Sequence, residues 1–345
     1  MNTILGIDYP TLWFLVVGAL FTGYSILDGF DFGAGAWHLF FRKESSRRIA
    51  LMAIGPVWDG NEVWLVIGGG ALFAGFPIMY ASLLSSMYIP FILFLVFIIF
   101  RAVSIEFRNK EDKKWWRTTW DIGYSFSSGI LAFLLGVVLG NILQGIAIGE
   151  NFEYMGKGFF EFINVFSVLT GITTLFLLMT HGAIYLLLKT EGRLYAKLTV
   201  LVKRSIAFFI TSFAITTIYT LIFEPHLSDK FKEIPVLFIV PVAAFLSIAN
   251  IPRLASKRKF LAAFIFSSLT ISLMLILVAI EVYPTLIRST IDTAYNITIY
   301  NAASSGKSLG IMLLIVVIGL PLALGYTLFV YLTFRGKVKI EEQGY

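Results

Sequence analysis

Polar residues in this chain are confined to short intervals between long apolar runs. A window of about 19 residues finds nine segments long enough to cross a bilayer. They lie near 10–40, 50–76, 78–106, 119–147, 158–188, 200–223, 234–250, 260–282 and 308–334. The seventh is the shortest. The first and third exceed the hydrocarbon thickness and are expected to tilt or to project into water. The pattern predicts an all-α, polytopic integral membrane protein with nine transmembrane helices. No linker or low-complexity tract divides the chain and no internal repeat is visible, so residues 1–345 read as a single transmembrane domain.

Basic residues orient these spans. Clusters follow spans one, three, five and seven and the last span: Arg42/Lys43/Arg47/Arg48, Arg108/Lys110/Lys113/Lys114/Arg117, Lys189/Arg193/Lys197/Lys203/Arg204, Arg253/Lys257/Arg258/Lys259 and Arg335/Lys337/Lys339. The opposite connections hold only Lys157, Lys230, Lys232, Arg288 and Lys307. Unbroken alternation predicts an N-terminus outside and a C-terminus in the cytoplasm. The first apolar run lacks a basic region before it, the first Lys or Arg being Arg42, so it reads as a span and not as a cleaved signal.

Composition agrees. The chain is 58% apolar and 14% charged, where soluble domains are about a quarter charged. Cysteine is absent, which excludes disulfides, thiolate metal sites and iron–sulfur clusters. The net charge of +6 reports topology and does not suggest nucleic acid.

Four carboxylates break the apolar pattern. Asp28 and Asp31 sit in SILDGFDFGAG, and Asp59 and Glu62 in GPVWDGNEVWLVIGGG. Each pair is spaced i, i+3 and shares a helix face. At about 1.5 Å per residue, Asp31 lies roughly 16 Å from Arg42, and Asp28 roughly 21 Å. Asp59 and Glu62 lie at matching depths from Arg48, roughly 16 and 21 Å. Arg101, inside the third span, is roughly 10 Å from Arg108. Spans one to three are thus expected to gather four acids and one arginine in the cytoplasmic half of the bilayer. Desolvation and like-charge repulsion prevent all from being ionised in a dry site. Such a group can pass protons, or it can be a static polar network that holds helices together. Asp121 reads as a helix-start residue near the interface. Gly29, Gly33, Gly35, Gly60 and Gly68 to Gly70 surround the acids and are expected to permit close helix approach. Trp64 is too deep for an interfacial anchor and is expected to pack between helices.

Of three histidines, His181 in LLMTHGAIYLL is the one clearly inside a span. It could be a haem ligand, a proton relay or a hydrogen-bonded structural residue. Asn141 and Gln144 read as helix-to-helix hydrogen bonders, and Trp115, Trp116 and Trp120 as an interfacial belt. Asn296-Ile-Thr298 is formally a glycosylation acceptor, a tripeptide common by chance. The chain carries no nucleotide loop, no zinc-protease motif and no self-sufficient redox centre. Taken alone, these features also fit a proton-coupled secondary transporter or a purely structural assembly subunit.

The runs DGFDFGAG (28–35), GPVWDGNEVWLVIGGGALFAGFP (55–77), FRAVSIEFR (100–108), GNILQG (140–145), THGAIYL (180–186), FSSLTIS (266–272) and TIYNAASS (298–305) resemble, in order, subunit II of cytochrome bd quinol oxidases. The resemblance implies a prokaryotic terminal oxidase of the cytoplasmic membrane that oxidises quinol, reduces O₂ to water and builds a proton gradient by taking up cytoplasmic protons. It implies two four-helix bundles plus one extra helix. It also implies a partner, subunit I, that holds haems b558, b595 and d, so that this chain binds no metal and has no catalytic residue of its own. Small single-span accessory subunits and a structural quinone are found in some members. By the same resemblance Asp59, Asp28 and Arg101 belong to a proton path at the subunit interface. Asp31, Glu62 and His181 then complete a polar network, Gln standing for Glu62 or His181 in some relatives.

Overall fold

The computed structural model describes residues 3–338. A two-residue hairpin, β1 (Thr3–Ile4) with β2 (Ile7–Asp8), leads into α1 (Tyr9–Trp37). The Asp8 carboxylate accepts the Thr11 N–H at 2.9 Å, and Pro10 occupies the first turn, where its missing N–H costs nothing. A short 3₁₀ turn, His38–Phe40, closes this helix. Then follow α2 (Glu44–Ile54), α3 (Trp58–Gly75), α4 (Pro77–Ser86), α5 (Tyr88–Phe107) and α6 (Lys114–Gln144). After an irregular connection come α7 (Val165–Lys189), α8 (Gly192–Phe223), the short α9 (Asp229–Glu233), α10 (Ile239–Ser256), α11 (Phe260–Val282) and α12 (Gly306–Thr333). A second hairpin, β3 (Thr285–Ile287) with β4 (Ile297–Thr298), sits between the last two.

Among the described residues, eight single helices are long and apolar enough to span a membrane. A ninth span arises if α3 and α4, bent by 115°, count as one. This corrects the boundaries of spans two and three. Gly55-Pro56 separates α2 from α3, because proline cannot donate to the helix before it and restricts the residue it follows. Pro77 begins α4 in a new direction, so the third span is α5 alone. The segment 50–54 belongs to α2, whose apolar residues Ala50, Leu51, Ala53 and Ile54 pack in the core, and whose Arg47, one turn before Ala50 and Leu51, reaches Asp121 from the same side. Lys339, at the end of the basic tail, lies outside the described residues.

Helices α1, α3, α5 and α6 form one group, and α7, α8, α10 and α11 the other, with α12 against α1 and α3. Helices α1 and α6 meet α7 along the seam. There the backbones nearly touch. A Cβ on Gly33 would lie 1.8 Å from the Leu178 carbonyl oxygen, and one on Gly182 would lie 2.4 Å from the Ala34 nitrogen. In lipid, with no hydrophobic drive between helices, such close contact is what holds them together. Gly35 likewise makes room for Ser128, and Gly23 for Trp64, which is buried as expected.

Candidate functional site

Arg101 is the centre of the buried acid cluster. Its guanidinium donates to both oxygens of Asp28, at 2.6 and 3.3 Å, and to Glu62 Oε1 at 2.7 Å. Helix α5 supplies the cation, α1 the aspartate and α3 the glutamate. The guanidinium also lies over the Phe32 ring, 4.5 Å from its centroid, a cation–π contact. Arg101 and Asp28 are both 0% exposed, whereas the Glu62 side chain keeps 19% of its surface. One turn from Asp28, the Asp31 Oδ2 accepts from Asn61 at 2.7 Å. Asn61 also donates to the Leu27 carbonyl and accepts from the Tyr331 hydroxyl at 3.0 Å, which ties α12 to α1 and α3. The other oxygen, Asp31 Oδ1, is buried without a hydrogen-bond partner among the described residues.

Asp59 does not join this cluster. It is exposed in the first turn of α3 and forms no ion pair with the described residues. The four acids therefore do not share one pocket. Asp28 and Asp31 are fully interior, Glu62 is half-buried and Asp59 is on the surface. The reason is rotational: α3 turns only part of its circumference toward α1. Asp59, Val63, Val66, Gly70 and Phe73 are all exposed along its other side, a spacing of four and three residues that lines up one stripe. Gly60, Gly69 and Gly70 meet nothing within 4 Å, so the close approach expected of them is not made among the described residues.

A second ion cluster was not foreseen from the sequence. Asp121 is 1% exposed and is no helix-start residue, since α6 begins at Lys114. It takes Arg108 Nε at 2.6 Å, Arg47 at 2.9 Å and His38 Nε2 at 2.5 Å. Arg108 also donates to both oxygens of Glu44, at 2.8 and 2.9 Å. Burial works against the Arg108 charge, but the hydrogen bonds to Asp121 and Glu44 outweigh it and hold the guanidinium above its ordinary range. The sequence carried only part of the signal. Asp121 lies one acid deep in a helix flanked by basic connections, and Arg108 sits where α5 ends.

His181 has both ring nitrogens engaged. Nε2 meets the Ile26 carbonyl at 3.1 Å and so carries the proton, leaving Nδ1 to accept from the Ser267 hydroxyl at 2.7 Å. The ring stacks on Phe264 with centroids 4.6 Å apart. These contacts join α7, α1 and α11. Among the described residues no group of three or more His, Cys, Asp or Glu is placed to hold a metal ion. Asn141 donates to the Val137 and Phe162 carbonyls and accepts from Asn164, while Gln144 donates to Glu224 at 2.5 Å. Asn296 Oδ1 is occupied by the Ser289 N–H.

Beside the acid cluster runs an apolar cavity of about 370 Å³, walled by Phe21, Leu72, Phe91, Leu178 and Met274, with Tyr24 at its polar edge. The Tyr24 hydroxyl is buried and has no hydrogen-bond partner among the described residues.

Comparison with known proteins adds the family. Residues 9–334 match the family model described as cytochrome bd terminal oxidase subunit II. Cytochrome bd ubiquinol oxidase subunit 2 of Bacillus subtilis is 33% identical, over 96% of this chain and 97% of that one. Cytochrome bd-I ubiquinol oxidase subunit 2 of Escherichia coli is 30% identical over 97% of each. In fold, the chain is similar to a chain of the bd oxidase from Geobacillus thermodenitrificans, with a TM-score of 0.77 and 19% identity over 94% of this chain and 98% of that one. The chain belongs to the cytochrome bd terminal oxidase subunit II family, a family of multi-pass membrane proteins.

Proposed function

We propose, from this family membership, that the chain is the haem-free subunit of a quinol oxidase and delivers protons to oxygen reduction in a subunit I that carries haems b558, b595 and d. The observation that carries this reading is the graded series Asp59, Glu62, Arg101 and Asp28. Glu62, Arg101 and Asp28 are joined by hydrogen bonds in the interior, and Asp59 stands apart from them on an uncovered helix face. Asp59 and Glu62 are one helical turn apart on α3. The guanidinium then joins Glu62 to Asp28 directly. A proton need not pass through Arg101, which stays charged. Its part is to hold two carboxylates in place and offset their charge. Asp31, with one oxygen free, sits beyond Asp28 as a further acceptor.

The α3 stripe that begins at Asp59 supports an interface with the partner. It is a row of small and apolar residues with open space above its glycines, the surface on which another membrane helix packs closely. Docking there would place Asp59 between the subunits. The basic ends of the helices would face the cytoplasm, the side from which the protons are drawn.

The cavity fits an isoprenoid tail in volume and lining. A structural quinone would hold its tail against Phe21, Leu72 and Phe91. Tyr24 would lie at its polar edge. When bound it would fill the space between the two helix groups, and the chemistry of quinol oxidation would stay with the partner.

The test is Asp59→Asn in the assembled complex with normal haem content. Quinol oxidase turnover and proton uptake should fall on the order of 10²-fold, the scale of losing a positioned proton-transfer group. Unchanged turnover would sink the relay and leave a purely structural subunit.

A further inference from the structure

The basic end of the second helix group holds an open pocket of about 500 Å³, apart from the acid cluster and the α3 stripe. Its rim is cationic and its floor is apolar. Arg258 and Lys259 come from the tight connection between α10 and α11, and Lys337 from the segment after α12. Leu188 at the end of α7 and Leu261 in the first turn of α11 line the floor, and Tyr195 in the first turns of α8 forms a wall. The ends of five membrane helices, α7, α8, α10, α11 and α12, therefore surround it, at the basic ends where lipid headgroups are expected.

We propose that this pocket binds the phosphate headgroup of an anionic phospholipid, whose acyl chains descend along Leu261 and α11. Three observations carry the assignment. Arg258, Lys259 and Lys337 form no ion pair with any carboxylate of the described residues, which leaves three cations around one recess. Lys337 is also held in place. Its ammonium donates to the Leu187 carbonyl at 2.9 Å and the Thr190 carbonyl at 3.0 Å, and sits 5.6 Å from the centre of the Tyr195 ring. Two of its three N–H groups are thereby used, and one remains for an anion. Finally, Leu261 is 64% exposed just below the cations, which gives a ligand that is anionic above and apolar below a matching surface. A soluble anion would use the rim and leave the apolar floor wet. A cytoplasmic protein would need a larger face than this recess offers.

Basic residues at this end also serve topology, but that role asks only for charge somewhere in the connection. The proposal requires these three side chains. The test uses the complete complex in detergent, titrated with dioleoyl phosphatidylglycerol and, separately, dioleoyl phosphatidylcholine, with bound lipid read by native mass spectrometry. Phosphatidylglycerol should be retained preferentially. Arg258→Gln with Lys259→Gln should weaken it about 25-fold, or about fivefold for each charge removed near the surface. Lys232→Gln, at the opposite end, should leave it unchanged. Leu261→Glu, at an exposed position, should expel the lipid with all three cations intact, and it keeps the test decisive if the double variant assembles poorly. Equal retention by the double variant, equal binding of phosphatidylcholine, or full competition by millimolar inorganic phosphate would each overturn the proposal.

Discussion

Two buried ion clusters sit at different depths of the first helix group, and their stoichiometry is opposite. Around Arg101 one cation faces Asp28 and Glu62, with Asp31 one turn away. Around Asp121 one acid faces Arg108, Arg47 and His38, with Glu44 assisting from the rim. Carboxylates in excess can take up protons and become neutral. Guanidinium groups cannot give theirs up. The first cluster can therefore change its protonation without breaking, which suits passage of a proton. The second is a fixed brace. It ties α2, the turn after α1, the end of α5 and the start of α6 to one point.

The largest expected effect follows from that asymmetry. Asp121→Asn leaves the buried Arg108, held then by Glu44 alone, and the half-buried Arg47 beside a neutral group, and breaking a buried pair from one side costs about 3–5 kcal/mol. The thermal midpoint of the purified complex should drop sharply, or the complex should fail to accumulate. Arg101→Gln should cost less, about 1–3 kcal/mol, because the orphaned Asp28 can be neutralised by a proton while Gln still donates one hydrogen bond. Parallel thermal unfolding of the two variants checks this. If Arg101→Gln proves the more damaging, the division into brace and relay is wrong. Glu62→Gln should be milder still, within about 1 kcal/mol, since Arg101 keeps both bonds to Asp28 and the amide oxygen can accept the third. Its use is to sharpen the comparison: near-normal stability with slowed proton uptake would separate the path from the packing. The smallest effect is expected for His181→Gln. The amide can replace the donation to the Ile26 carbonyl, with the loss of the Phe264 stack as the main cost, about 1 kcal/mol. Turnover should stay unchanged, and a loss of turnover at normal haem content would give His181 a part in the chemistry.

Much of this architecture was legible in the sequence. The apolar runs place the spans, and the basic clusters mark one end, because both follow from composition over a window and need no knowledge of neighbours. Proline was the exception within that reading. Gly55-Pro56 and Pro77 cut apparent runs of apolar residues into α2, α3 and α4, and hydropathy alone does not register a backbone that cannot continue. Arg101 as the counter-charge of Asp28 and Glu62 was likewise readable as the one cation inside the first three spans, its long side chain making up for a helix position roughly 10 Å shallower. The outward turn of Asp59 and the pairing of Asp121 were not.

The physical reason is rotation. A soluble helix shows its buried side by amphipathicity, but α11 and α12 are apolar all round and α3 nearly so, and lipid accepts any of their faces. Sequence determined most of the apolar helices and the order of the charges along them, while the breaks at Pro56 and Pro77 escaped hydropathy. Only the tertiary structure decided which way each charge points. That choice is made by contacts such as Gly33 on Leu178, where a hydrogen in place of a methyl sets the distance between two helices and with it the register of all they carry.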